Sequence, residues 1–223
     1  AAGQNCLHVQ RLLVHDAVYA PFRERFVARA AAYQVGDKHN ESTDMGPLID
    51  GDAACQVERL VADAIASGAH VAIGGTRSGT FFAPTLLEKV PADHPVNRDE
   101  IYGPVTVLTP IQSEEEGIAL ANRPDYGLHA AVFTDDITRA FRMIGGLRCG
   151  GVMINDSTDY RIDAMPFGGV KGSGLGREGV RFAVEEMTEP KVVCLAFPSL
   201  YPADIVAEFA PSPVESSLLA TSD

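Results

Sequence analysis

Apolar positions along the chain recur with two different periods, and the switching between them predicts a layered α/β domain. Residues 11–15 (RLLVH) read as a strand, with Asp16 as the cap of a helix running to about residue 33. Residues 36–50 are polar and contain a Gly-Pro pair, which makes them a loop. Val57, Leu60, Val61 and Ile65 then fall at helical spacing and predict a helix over 53–67. Residues 71–75 and 81–90 read as strands separated by a glycine turn. The run 105–111 (VTVLTPI) is apolar almost throughout, the pattern of a strand buried on both faces. Helices are expected over 114–122 and 137–147, and strands over 130–134 and 151–155. A glycine-dense stretch, 168–179, leads into a helix over 180–187 and a last strand over 191–196. The fold class that follows is α/β, a mainly parallel sheet with helices on both faces. Residues 1–197 form one domain in this reading, and 198–223, rich in Pro, Ser and Ala without clear period, form a disordered acidic tail.

At 223 residues the chain can bury a substantial core, and its 46% hydrophobic content is that of an ordinary globular protein. The formal net charge of −12 argues against a nucleic-acid surface, which would need clustered Lys and Arg. Part of that acidity belongs to the tail, where Asp204, Glu208, Glu215 and Asp223 follow the last basic residue. No apolar run approaches the roughly 20 residues of a membrane span, and no signal-like segment opens the chain. The four cysteines, Cys6, Cys55, Cys149 and Cys194, lie far apart with no His at metal-ligand spacing, so no metal site is expected. A nucleophilic thiol among them favours a reducing compartment, and the expected localisation is cytoplasmic.

Cys6 stands out by its setting, Gly3-Gln4-Asn5-Cys6, with Arg11 five positions on. A thiolate is a strong nucleophile and a good leaving group from a thioester, so an accessible cysteine is a candidate for acyl chemistry. The segments TDMGPLI (43–49), GTFFAPTLL (79–87), EIYGPV (100–105), ANRPDYGLHAAVFT (121–134), GVMIN (151–155) and MPFGGVKGSGLGREG (165–179) follow in order. Together with GQNC they resemble the NAD(P)-dependent aldehyde dehydrogenase family, over residues 3–196, in the portion that forms the catalytic domain.

The resemblance implies roles residue by residue. Cys6 would be the nucleophile, forming a thiohemiacetal and then a thioester, with its own backbone N–H as an oxyanion donor. Glu100 would accept hydrogen bonds from the nicotinamide ribose, with Tyr102 shaping the nicotinamide position. Asn155, Tyr160, Arg161 and Phe167 would face the substrate, on a loop that also carries Ser157 and Thr158. Each has a plain alternative: Glu100 as a solvated acid, Asn155 as the closure of a strand end, Phe167 as core packing, Arg161 as an exposed loop cation. Gly174, Gly176 and Gly179 satisfy G-x-G-x-x-G, but no long apolar strand precedes them, and they read as packing turns of the catalytic domain.

The family resemblance further implies NAD or NADP as cofactor, a small polar aldehyde as substrate and a homo-oligomer whose assembly uses strand 191–196. The family's general-base glutamate, oxyanion asparagine and adenosine-binding turn precede the nucleophile in full-length members. The expectation is therefore a catalytic portion lacking its N-terminal dinucleotide-binding half and inactive alone. Two rivals stand beside it: a non-catalytic fragment serving as an oligomerisation module, and a branch of the family in which coenzyme A takes the acyl group.

Overall fold

The computed structural model describes residues 1–195, which divide into two units between Glu186 and Met187. In the first unit the chain runs β1 (Arg11–His15), α1 (Asp16–Ala31), α2 (Gly51–Ala66), β2 (His70–Ile73), β3 (Arg77–Ser78), β4 (Phe81–Phe82), β5 (Thr85–Glu88), α3 (Pro95–Arg98) and β6 (Val105–Ile111). It continues through α4 (Glu114–Asn122), β7 (Tyr126–Gly127), β8 (His129–Val132), α5 (Ile137–Gly146), β9 (Gly151–Ile154), β10 (Val170–Lys171) and α6 (Val180–Met187), whose last residue belongs to the second unit.

The main sheet has four strands in the order β1-β6-β5-β2, with β1, β6 and β5 parallel and β2 antiparallel at the edge. Successive side chains of β5 and β6 point to opposite faces, and each face meets a helix. Leu87, Val105 and Val107 pack with Ala54, Val57, Val61 and Ala64 of α2. Leu86 and Leu108 pack on the other side with Tyr19, Phe26 and Val27 of α1. The expected fold class, a mainly parallel sheet covered on both faces, is what forms. A second parallel pair joins β8 to β9, and two short antiparallel pairs join β3 to β4 and β7 to β10.

Local signals explain the helix boundaries. The Asp50 carboxylate accepts from the Ala53 N–H at 2.8 Å, so α2 begins at Gly51, two residues before its first apolar position. Ser113 caps α4 while Glu116 reaches back to the Gln112 N–H at 2.7 Å, a reciprocal capping arrangement. His15, rather than Asp16, caps α1, its ring accepting from the Ala17 N–H.

Several expectations are corrected. The strand expected over 81–90 is two elements, β4 and β5, interrupted at Ala83-Pro84. The strand over 130–134 starts at His129 and stops at Val132, and that over 151–155 stops at Ile154, because Asn155, whose N–H still donates to Val132 O at 2.8 Å, takes a left-handed φ of 56° that ends the extended backbone. The last strand, expected over 191–196, is absent among the described residues 191–195, and residue 196 lies beyond them. A strand is defined by its ladder partner, and none is described for this segment. The expected disordered tail, 198–223, also lies outside the described residues. No described helix is long and apolar enough to cross a membrane.

One buried carboxylate ties α1 to the sheet. Glu88, at the end of β5, accepts from Arg23 through two bonds of 2.6 and 2.9 Å and from the Tyr19 hydroxyl at 2.8 Å, and lies 3.1 Å from His70 Nδ1. The Arg23 hydrogen bonds hold its pKa down, to about 2, although burial pushes the other way.

Candidate active site

Cys6 sits on a tight turn rather than on a regular element. Asn5 O accepts from the His8 N–H at 3.3 Å, and the Asn5 side-chain oxygen accepts from the Leu7 N–H at 2.9 Å. The thiol is exposed, and the Cys6 backbone N–H has no hydrogen-bond partner among the described residues. The thiol expected to act as nucleophile is therefore accessible, and the N–H expected as oxyanion donor is uncommitted.

The turn is pressed onto the EIYGPV segment. Gly3 has φ +70°, and a Cβ there would lie 2.1 Å from Gly103 O, so only glycine permits this approach. Gln10 adds a second tie, donating to Val96 O and Asp99 O at 3.0 and 2.7 Å and accepting from the Ile101 N–H at 3.1 Å. The His8 ring bonds Val105 O at 3.0 Å, which requires the proton on Nε2 because a carbonyl only accepts. Gln4 accepts from the Ile49 N–H at 2.8 Å and reaches Pro47 O at 3.4 Å, drawing in the TDMGPLI loop. Two motifs about a hundred residues apart thus share one surface.

Glu100 stands on that surface, exposed and without a described partner, so both carboxylate oxygens can accept from a ligand. Tyr102 is beside it, half exposed, on a left-handed backbone of φ 54°. The substrate-loop candidates are more committed. Asn155 bonds Thr134 twice, accepting from its N–H at 2.8 Å and donating to its carbonyl at 2.9 Å, which is the strand-end closure. Phe167 is buried, with the His129 ring edge-on at 5.1 Å and the Arg161 guanidinium 4.1 Å above its centre. Arg161 also donates to Glu178 at 2.7 Å, so its charge is already partly balanced. Tyr160 is exposed.

Of the remaining cysteines, Cys194 is exposed like Cys6, whereas Cys55 and Cys149 are partly buried. The Cys149 thiol is half-buried, contacts Gly151 O at 3.2 Å, and has its pKa raised chiefly by burial. Among the described residues no group of His, Cys, Asp and Glu could hold a metal ion. The glycines at 174–179 precede α6 but follow only the two-residue antiparallel strand β10, and Glu178 bridges back to Phe167, so they are turn residues and not a dinucleotide fingerprint.

Sequence reasoning missed the tethers. Arg11, matched only as part of the cysteine motif, donates to Leu120 O and Ala121 O at 2.8 and 3.1 Å. Lys171 donates to Asn122 O, Pro124 O and Tyr126 O at 2.9, 2.8 and 3.2 Å. Two cations thus hold the carbonyl end of α4, where the helix dipole favours positive charge. Gln4 and Gln10 carried no sequence signal beyond membership of the motif, because a side chain that bridges backbone groups leaves no periodic trace.

An exposed cysteine turn is thus held against the segment that carries the exposed Glu100, next to a mainly parallel α/β sheet with helices on both faces. A family model for the aldehyde dehydrogenase family matches residues 1–193, and the chain belongs to that family. It is 51% identical over 195 residues to aspartate-semialdehyde dehydrogenase 1 of Pseudomonas canavaninivorans, covering 87% of this chain and 42% of that protein. It is 40% identical over 194 residues to 3-sulfolactaldehyde dehydrogenase of Priestia aryabhattai, covering 87% and 41%. Among solved structures, glyceraldehyde-3-phosphate dehydrogenase of Methanocaldococcus jannaschii in complex with NADP superposes with a TM-score of 0.80 at 46% identity, covering 83% of this chain and 40% of that one. Betaine aldehyde dehydrogenase of Staphylococcus aureus, at 34% identity and a TM-score of 0.80 over 83% of this chain and 38% of that one, was solved with NAD+. The chain spans about two fifths of the length of these relatives.

Proposed function

We propose that this chain supplies the nucleophile and the nicotinamide-side contacts of an aldehyde dehydrogenase that oxidises a small polar aldehyde to its carboxylate with NAD or NADP. The observation that carries the reading is the exposed Cys6 turn held against the Glu100 segment by Gly3 and Gln10.

The Cys6 thiolate attacks the aldehyde carbon, a C–S bond forms, and the carbonyl π pair moves to oxygen, where the unpartnered Cys6 N–H can donate to it. Glu100 would accept from the ribose hydroxyls of the dinucleotide, and Tyr102 would shape the nicotinamide position. The nicotinamide, when bound, supplies a hydride acceptor. Loss of hydride leaves a thioester on Cys6, and water then cleaves its C–S bond, returning the thiol and releasing the acid.

The names of two relatives, acting on aspartate semialdehyde and on 3-sulfolactaldehyde, support a substrate carrying a polar or anionic group. Arg161, with donors beyond the one given to Glu178, is the candidate to meet it. Homo-oligomeric assembly is part of the same reading.

The test uses these 223 residues within a protein of the relatives' full length. Substoichiometric iodoacetamide labels Cys6 ahead of Cys55, Cys149 and Cys194, and Glu100→Gln slows NAD(P)H formation while Cys6 labelling persists. Preferential labelling of Cys149, or unchanged turnover in Glu100→Gln, would overturn the assignment.

A further inference from the structure

The residue after the nucleophile is held from both sides. Its N–H is taken by the Asn5 side chain, and its carbonyl accepts from the Thr158 hydroxyl at 2.6 Å, across 151 positions of sequence. Thr158 is buried at 7% exposure, although Ser157 and Asp159 on either side are exposed. Its own carbonyl lies 2.9 Å from His129 Nδ1, so that nitrogen carries a proton and donates. His129 opens β8 and is held by the parallel pairing with β9, where Gly151 lets the ring approach: a Cβ there would lie 2.8 Å from Nε2. The same ring packs on Phe167, which Arg161 covers.

We propose that Thr158 is a positioning residue for Cys6: its hydroxyl latches the Leu7 carbonyl to the β8–β9 sheet and so orients the thiol and the Cys6 N–H together toward one carbonyl group. This rests on the reading of Cys6 as the nucleophile. Two anchors on Leu7, one local and one from the substrate loop, fix the peptide planes on both sides of that residue. Within the turn the following plane is held only by the longer bond from the His8 N–H to Asn5 O, at 3.3 Å, so without the Thr158 hydroxyl the Leu7 carbonyl loses its tie to the substrate loop and the turn can shift, carrying the thiol with it. Attack on a carbonyl needs the sulfur and the oxyanion donor in register, whereas displacement at an unhindered alkyl halide needs only an accessible thiolate. Loss of the latch therefore separates the two reactions.

The experiment compares wild type, Thr158→Val and Thr158→Ser as the 223-residue chain, with two probes mapped to Cys6 by mass spectrometry. p-Nitrophenyl acetate reads acylation and iodoacetamide reads alkylation. Thr158→Val is expected to slow Cys6 acylation about tenfold, a fraction of the ~100-fold that a roughly 1 Å misplacement costs. Alkylation should change less than about twofold, and Thr158→Ser should restore acylation, since it keeps the hydroxyl. Equal loss of both reactions marks general loosening and overturns the latch, as does unchanged acylation in Thr158→Val or failure of Thr158→Ser to restore it. A wild-type chain in which neither probe prefers Cys6 overturns the nucleophile assignment itself, a result distinct from failure of the latch.

Discussion

Replacing Glu88 by Gln should destabilise the domain in a way that depends on pH. In the folded chain the carboxylate titrates at about 2, against 4.5 for the free side chain, and the first cause is its pair of hydrogen bonds from Arg23. A depressed carboxylate pKa contributes stability that is present above the unfolded value and lost as pH falls through the folded one. With those two values the linkage amounts to about 3 kcal/mol at pH 7, about 1.4 kcal/mol at pH 3 and ~0.4 kcal/mol at pH 2. Arg23 is about a third exposed at 36%, so solvent screening lowers the neutral-pH figure toward about 2 kcal/mol. Urea denaturation of Glu88→Gln and wild type at pH 7 and pH 3, with m held common, reads the difference directly. The gap should close by more than half between the two. A gap of the same size at both pH values would refute the linkage, and no gap at pH 7 would refute the claim that Glu88 fastens α1 to the sheet.

Tyr19 supplies the alkaline counterpart: burial and the Glu88 bond raise its pKa to about 12, so the stability it confers is complete below about 10 and declines from there to 12, measurable as a falling urea midpoint that Tyr19→Phe lacks. Gly3→Ala puts a Cβ against Gly103 O and strains a φ of +70°, so it should displace the Cys6 turn and lower Cys6 acylation at least ~10-fold. An unchanged acylation rate would show that the turn does not depend on that approach. Lys171→Met removes the donor shared by three carbonyls while keeping the apolar stem, and should cost about 1–3 kcal/mol in urea denaturation, with faster amide exchange over 122–127. An unperturbed midpoint would count against the clamp.

The strands of the main sheet were legible along the chain, though not their order, because burial on two faces writes itself as a continuous apolar run. Val105 to Ile111 is such a run, and it became the strand bonded on both sides, to β1 and to β5. The helical spacing of Val57, Leu60 and Val61 likewise reported the face of α2 that meets Leu87 and Val107. Boundaries were less legible: the cap of α1 lies on His15, and the run 81–90 breaks at Ala83-Pro84, since local hydrogen bonds and proline geometry act on a scale finer than periodicity.

At the candidate site, the candidates were legible and their arrangement was not. Cys6, Glu100 and Arg161 could be named because the motifs that carry them resemble those of the family; residue type alone left Glu100 and Arg161 as ordinary solvated charges. That Gly3 closes on Gly103, that Gln10 spans Val96 to Ile101, and that Thr158 reaches Leu7 were decided only by the tertiary structure. The physical reason is that each of these contacts ends on a backbone group 86 to 151 residues away. A backbone carbonyl is the same in every residue, so no sequence pattern marks which one a distant hydroxyl or amide will bind. The apolar pattern determines which faces must be buried together, and folding those faces then decides which polar groups are left within reach of one another.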